Sequence, residues 1–192
     1  MHYCLMFLSK DFPTDDVINA ALKPFSDDVV YKDADEDGTN IVYPAFTWDW
    51  WQVGGRYNGK LKLKYDLNDD TSEYRWMFTA REPRIKRLFR SYLLEAFMET
   101  KKSPFFFEDD YLSSMGARDG YLYVDGGKIV DMLNFKEECT KCFCYLDTDG
   151  NAYARRTWSN HEWVEDAAFE DKVKAACENR TDGYVTIIDL HD

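Results

Sequence analysis

The sequence has few histidines, no long hydrophobic run and little basic charge, and each shortage excludes a class of protein. Only 3 of its 192 residues are histidine, and it contains no serine-hydrolase elbow, phosphate-binding glycine-rich loop or His-Glu-x-x-His motif. No stretch approaches the roughly 18 apolar residues of a membrane helix, and the first residues lack the basic segment of a signal peptide. The 24 Lys and Arg against 36 Asp and Glu leave a formal charge of −12, which excludes a broad surface for nucleic-acid phosphates. We therefore expect a cytoplasmic protein with no membrane contact and no direct nucleic-acid contact.

Core-forming residues are abundant by contrast. Apolar residues make up 45% of the chain and aromatic residues 17%, which is too many for intrinsic disorder. The sequence shows no internal repeat, low-complexity tract or Pro/Gly/Ser linker. We therefore predict that residues 1–192 form one domain.

The five cysteines are odd in number, and a disulfide framework is not expected. Cys139, Cys142 and Cys144 have a metal-like spacing, and His161 or Cys177 could complete a tetrahedral zinc site. Alternatively, 142–146 is a strand with its cysteines on one buried face. The second interpretation is favoured, and no cofactor or metal is predicted.

Hydrophobic periodicity and turn residues predict most of the secondary structure. Strands are predicted at 2–9, 61–65 and 184–190, and hairpins at 121–124 with 128–133 and at 142–146 with 152–158. Helices are predicted from Thr14 to Pro24, over 83–101 and over 160–179, with a polar loop at 26–40. The order of these elements predicts an α+β single-domain sandwich, in which about three helices pack on one face of a mainly antiparallel sheet.

The segment Trp48–Gly59 has the most unusual composition in the chain. Gly54-Gly55 permits a turn with positive φ that presents an arginine beside aromatic side chains. Such a set can stack on a base and bind phosphate. The candidate ligand-binding residues are Trp48, Asp49, Trp50, Trp51, Arg56 and Tyr57. The alternative is structural, with Trp48 and Trp50 in the core and Asp49 paired with Arg56.

This segment resembles the W-D-W-Y-x-x-G-G-R-W-x-G signature of a group of uncharacterised phage and prophage proteins. Those proteins also begin with a short strand and end in an Asp-x-His tail, as Asp189-Leu190-His191 does here. Trp51 and Tyr57 depart from the signature, which usually has Tyr and Trp there. The resemblance implies a phage-encoded protein in the cytoplasm of an infected bacterium. It implies no activity, because the group has none assigned.

The residues Asp189 and His191 form a second candidate site. Residues two apart in a strand share a face, so both side chains can reach one metal ion or one substrate. His2 joins them if strands 2–9 and 184–190 are neighbours, which would make a metal or acid–base site. The alternative is an exposed terminal strand without chemistry.

Rows of carboxylates form a third candidate surface, because they could occupy a basic channel on a partner. The rows hold Asp33, Asp35, Asp37, Glu108, Asp109 and Asp110, and the adjacent pair Asp27-Asp28 is of the same kind. The first row opens like a calcium-binding loop, but Pro44 stands where that loop needs its glutamate, and a solvated loop is favoured.

Two functions follow from these sites together with the resemblance to phage proteins, and a structural or regulatory phage factor without a pocket is a third candidate. The first is a phage counter-defence protein that inhibits a host defence component with a basic surface, without catalysis. The alternative is a binder or hydrolase of a nucleotide-derived signal that uses the Trp/Arg segment as its pocket. The sequence leaves open whether the protein is an enzyme, and a protein without catalytic activity is favoured.

Overall fold

A computed structural model describes residues 1–32, 34, 41, 43–57, 59–63, 117–118, 121–132, 137, 141–159 and 162–192. The predicted helix over 83–101 lies outside these residues. The strands are β1 (His2–Ser9), β2 (Trp50–Val53), β3 (Leu61–Leu63), β4 (Ala117–Arg118), β5 (Tyr121–Val124), β6 (Gly126–Lys128), β7 (Cys144–Asp147), β8 (Ala152–Ala154), β9 (Arg156–Ser159), β10 (Glu162–Glu165) and β11 (Tyr184–His191). The helices are α1 (Asp15–Leu22), α2 (Asp27–Val30) and α3 (Phe169–Glu178). Together they confirm the α+β fold with a mixed, mostly antiparallel sheet.

The centre of the main sheet is the pair β1 and β11. They run antiparallel over their whole length, from His2 opposite His191 to Ser9 opposite Tyr184, as the predicted strands 2–9 and 184–190 require. The strand order is β2-β11-β1-β7-β8, and β6 pairs with the same edge of β11 as β2. Only the β1–β7 pair of this sheet is parallel within the described ranges.

The two longer helices cover opposite faces of the main sheet. Ile18 and Leu22 of α1 pack in one buried cluster with Leu5 and Phe7, whereas Phe169, Val173 and Cys177 of α3 pack in another with Met6 and Leu8. The prediction that the helices share one face is therefore wrong. The burial of β1 explains this arrangement. Its residues 4–9 are all buried, and a strand that is covered on both faces shows no alternation of polar and apolar residues.

The start of α1 follows its sequence signals. The Thr14 hydroxyl accepts a hydrogen bond from the backbone N–H of Val17, and two aspartates occupy the first turn. The helix ends at Leu22, and a 3₁₀ turn at Lys23–Phe25 carries Pro24. The predicted loop over 26–40 is wrong at its beginning, where α2 forms. No helix in the described part of the chain has the length and apolar character to cross a membrane.

The hairpin predicted over 121–133 does not form. Here β5 pairs with β3 and β4 in a separate three-stranded sheet, whereas β6 pairs with β11. The chain changes sheets at Asp125, a buried residue between the two strands. The turn-like sequence Asp125-Gly126-Gly127 therefore serves a crossing between sheets instead of a hairpin.

The other predicted hairpin forms in shortened form, as β7 with β8. Oδ1 of Asp147 accepts the backbone N–H groups of Asp149 and Asn151, and Gly150 adopts φ 85°. Beyond it, β9 pairs with β10 as a two-stranded ribbon. Residues 162–165 therefore belong to a strand, and the predicted helix over 160–179 begins only at Phe169.

Candidate functional site

The Gly54-Gly55 turn is built around two buried carboxylates. Gly54 and Gly55 have φ values of 72° and 51°, which residues other than glycine rarely adopt. A Cβ on Gly54 would overlap the carboxylate of Asp125, and one on Gly55 would overlap that of Asp189. The glycine pair in the Trp-rich segment thus lets the backbone approach two aspartates, each only 1% exposed.

Asp189 is bonded through both of its carboxylate oxygens. Oδ2 accepts the backbone N–H of Arg56 at 2.9 Å, and Oδ1 lies 2.8 Å from Nδ1 of His2. The antiparallel register of β1 and β11 brings the two side chains together although they are 187 residues apart in sequence. A carboxylate can only accept, so Nδ1 carries the hydrogen and the neutral ring has its lone pair on Nε2.

A second histidine–aspartate pair lies beside the first. Nδ1 of His191 is 2.8 Å from Oδ1 of Asp49, and the ring centroids of His2 and His191 are 4.9 Å apart. The indole of Trp50 packs edge-on against both imidazoles, with its ring centroid 6.0 Å from that of His2 and 6.2 Å from that of His191. The structure therefore brings together the three predicted residues His2, Asp189 and His191. Asp49 pairs with His191, and the predicted structural alternative of an Asp49–Arg56 pair is wrong.

The three tryptophans of the segment do not share one surface. Trp48 donates from Nε1 to the carbonyl of Leu22 at 2.8 Å, and Trp51 donates to the side chain of Asn19 at 3.0 Å. Both indoles pack against the α1 cluster, whereas Trp50 is 45% exposed beside the histidines. Trp48 and Trp51, rather than Trp48 and Trp50, are thus the pair that packs on the core.

Among the other candidate ligand residues, Arg56 is exposed and Tyr57 is half-buried. Trp48 and Asp49 line a cavity of about 310 Å³ with Asp27 and Asp28, which is an acidic environment. The predicted pocket of stacked indoles around the arginine is therefore not assembled here. Tyr57 instead belongs to a different cavity.

That cavity lies at the end of the sheet where β1 begins, and it has a volume of about 570 Å³. We call it the cationic cavity. Its lining is Met1, His2, Tyr3, Cys4, Tyr57, Lys60, Lys141, Cys142, Phe143, Arg155, Arg156 and Trp163. Four of these side chains are Lys or Arg, and no Asp or Glu lines it among the described residues.

Each of the four cations has contacts in the fold. The ammonium of Lys60 lies 4.6 Å from the ring centroid of Tyr57 and donates to the carbonyl of Lys141 at 3.4 Å. Arg155 bonds Glu170 at 2.9 Å, and Arg156 bonds the exposed Glu165 at 2.7 Å. The Arg156–Glu165 pair is exposed and contributes little net stability, whereas Arg155 also donates from Nε to the carbonyl of Cys142 at 2.9 Å.

These cations could not be grouped from the sequence because they come from three separate parts of the chain. Lys60 precedes β3, Lys141 precedes β7, and the adjacent arginines follow β8, with Arg156 as the first residue of β9. The adjacent Arg155-Arg156 in a strongly acidic third of the sequence was the one available signal.

A second cavity of about 440 Å³ adjoins the first and is rich in aromatic side chains. We call it the aromatic cavity. The two cavities share Tyr3, Phe143, Arg156 and Trp163. The rest of its aromatic lining is Tyr31, Tyr43, Phe46 and Trp158. Tyr3 and Phe143 are stacked with their centroids 5.3 Å apart, so this ring pair contributes to the lining of both cavities.

The cysteines do not form the predicted single face. Cys142 lies in the buried cluster of α3 and Cys144 in that of α1, because Cys142 precedes the regular strand. Burial raises the pKa of Cys4 to about 12 and also raises the pKa of Cys144, which keeps these thiols protonated. Cys139 and His161 lie outside the described residues. Within those residues no group of three or more His, Cys, Asp or Glu is arranged to hold a metal ion.

The carboxylate rows cannot be placed. Asp33, Asp35, Asp37, Glu108, Asp109 and Asp110 all lie outside the described residues.

No protein family, curated protein or solved structure matches this chain. The interpretation of the site therefore follows from its own geometry.

Proposed function

We propose that the protein binds a nucleotide-like small molecule, with its phosphate in the cationic cavity. One observation carries the proposal: in a chain of net charge −12, four cationic side chains and no carboxylate line one cavity among the described residues. Lysine and arginine are the side chains that bind phosphate best, the latter through two parallel hydrogen bonds.

The aromatic cavity supplies the second half of the proposed site. Ligand pockets span about 300–1,000 Å³ and combine apolar walls with a few polar groups. Both cavities fall in that range, at about 570 and 440 Å³. Trp163 lines both and is 59% exposed, so its indole is available to stack on a base.

The overall negative charge does not oppose this binding at short range. At physiological ionic strength the Debye length is about 8 Å, which screens most of the distant carboxylates. A bound phosphate therefore responds mainly to nearby charges, which are the four cations of the lining and the two glutamates paired with its arginines, Glu165 and Glu170. The charge of −12 instead selects against long polyanions, which would extend beyond the cavity.

The resemblance to phage proteins suggests a biological role for such binding. A phage protein that sequesters a nucleotide signal would counter a host defence that depends on this signal. The other predicted role, inhibition of a host protein through an acidic, aromatic-rich surface, stays a prediction. Its carboxylate rows lie outside the described residues, although the exposed Trp158 and Trp163 are of the type found at protein interfaces.

The test is calorimetric titration with adenosine mono- and diphosphate, cyclic adenosine monophosphate, a diadenosine dinucleotide and inorganic phosphate. For the probe that binds best, Lys60→Gln is expected to weaken binding about 10- to 100-fold, because a charge-assisted hydrogen bond is lost. Lys174→Gln is the matched control, since Lys174 is an exposed lysine of α3 that faces Glu178.

The expected control result is unchanged affinity. If none of the probes binds, or if both lysine variants lose affinity equally, the cationic cavity is not the binding site. The partner-inhibition role would then be the better explanation of the acidic surface.

A further inference from the structure

The histidine that lines the cationic cavity is held by a buried carboxylate in the tautomer that a general base needs. His2 is the histidine of this lining, its side chain is 20% exposed, and its Nδ1 is bonded to a carboxylate that is 1% exposed. A buried aspartate that holds Nδ1–H leaves the lone pair of Nε2 for a proton from water or substrate. We propose that the cationic cavity is a hydrolytic site in which His2 is the catalytic base and Asp189 positions it. This inference rests on the proposed binding of a phosphorylated ligand.

Asp189 is held firmly enough to act as a positioning residue. It lies in β11, which pairs with β1 on one side and with β2 on the other. Its second oxygen is occupied by the backbone N–H of Arg56, at the turn where only glycine fits against it. Both oxygens of the carboxylate are therefore held by hydrogen bonds, one of them to His2.

The backbone of His2 is also held from the cavity side. The hydroxyl of Tyr57 donates to the carbonyl of His2 at 3.1 Å. Burial raises the pKa of Tyr57, with Cys4 and Asp189 adding to the effect, so the hydroxyl keeps its hydrogen. Lys60, above the Tyr57 ring, places a positive charge in the same cavity as the imidazole.

These groups suit hydrolysis of a phosphoester or phosphoanhydride bond, with water as the co-reactant. The water oxygen forms a bond to phosphorus while its proton moves to Nε2 of His2. The bond from phosphorus to the leaving oxygen breaks, its electron pair stays on that oxygen, and the oxygen takes up a proton from solvent. The imidazolium then returns its proton to solvent. Lys60 and the arginines stabilise the negative charge that develops on the phosphoryl oxygens.

The experiment measures binding and turnover separately, with the same nucleotide probes. Turnover is followed by phosphorus NMR and product chromatography, and affinity by calorimetry. His2→Ala is expected to lower kcat by about 10²-fold or more and to change affinity far less. Added free imidazole is expected to restore part of the lost rate, which a merely structural histidine would not show.

A second variant tests the role of the aspartate. In Asp189→Asn the amide oxygen can still accept from Arg56, but the amide nitrogen faces Nδ1 and favours the opposite tautomer of His2. We expect a large fall in kcat with KM nearly unchanged. Asp49→Asn disrupts the neighbouring pair, whose His191 is not among the residues that line the cationic cavity, and is expected to lower kcat far less. Circular dichroism checks that each variant is folded.

The outcomes separate this inference from the binding proposal. If a probe binds with the expected dependence on Lys60 but is not hydrolysed, the hydrolytic site is wrong and the binding function stands. Hydrolysis that persists in His2→Ala would equally overturn the assignment of the base. If no probe binds, both proposals fail.

Discussion

Gly55 shows how one small residue connects the turn to the candidate site. Its φ of 51° and the contact with Asp189 both require the absence of a Cβ. The same carboxylate accepts the N–H of Arg56 and orients His2. Because these interactions meet at one oxygen pair, a change at Gly55 is expected to affect stability and the histidine geometry together.

We predict that Gly55→Ala destabilises the protein by more than Gly150→Ala. Gly150 has a φ of 85° and open space around it, so its substitution adds only the left-handed backbone penalty of about 1–2 kcal/mol. Gly55→Ala adds the overlap with Asp189 to that penalty. Chemical denaturation measures both free energies of unfolding. Equal losses of unfolding free energy in the two variants would show that the Asp189 carboxylate moves aside without destabilising the protein.

The helix α3 illustrates how a neighbouring element changes a helix boundary. Trp163 and Val164 continue its apolar stripe in sequence, yet they pair with Trp158 and Thr157 in the ribbon. Asp166 then begins the turn into the helix, and its side chain accepts from Ala168 at 3.0 Å and from Lys172 at 2.6 Å. Strand pairing of Glu162–Glu165 thus prevails over helical periodicity for about one helical turn.

Asp166→Ala is predicted to cost about 0.5–1.5 kcal/mol of stability, the usual net value of a lost hydrogen bond, because Asp166 no longer accepts from the N–H of Ala168 in the turn before α3. Glu178→Ala, at an exposed pair of the same helix, is the control and should change stability by about 0.5 kcal/mol at most. The hydrogen bond from Lys172 lowers the pKa of Asp166. A lowered pKa stabilises the fold above the ordinary aspartate pKa, and this contribution is lost as the pH falls through the folded value.

The difference in unfolding free energy between Asp166→Ala and the wild type should therefore become smaller at acidic pH. Denaturation curves at neutral and acidic pH measure it. If the difference in unfolding free energy stays constant with pH, the charge of the Asp166 carboxylate contributes nothing to stability.

The molecule as a whole is organised around β1 and β11. Most residues of these two strands are buried on both faces of the sheet. The strands pair the beginning of the described chain with its end. The β9–β10 ribbon lies at the other extreme, because all of Glu162–Glu165 is exposed. A two-stranded ribbon alone is only marginally stable in water.

Hydrogen exchange is predicted to separate these parts. The amides of β1 and β11 should exchange slowest, through global unfolding, whereas those of β9 and β10 should exchange well before them. Exchange followed by mass spectrometry measures the difference. Equal protection of the ribbon would indicate that it is part of the cooperative core.

Local sequence patterns were enough to predict the elements whose signals are local. The strands 2–9 and 184–190, the Thr14 cap and the turn at Asp147–Gly150 depend on neighbours within a few residues, and the structure confirms them. The Asp189-x-His191 pair was predicted to share a face for the same reason, since strand alternation is a local rule.

Local patterns could not predict three features of the site. These are the contact between His2 and Asp189, the separation of the three tryptophans and the assembly of the cationic cavity. They depend on register across 187 residues, on which sheet face each helix covers, and on lysines and arginines from distant segments. Periodicity determines which side of an element a residue occupies, but not which element faces it. That choice is made by long-range packing, because burial of both faces of β1 requires α1 on one side and α3 on the other.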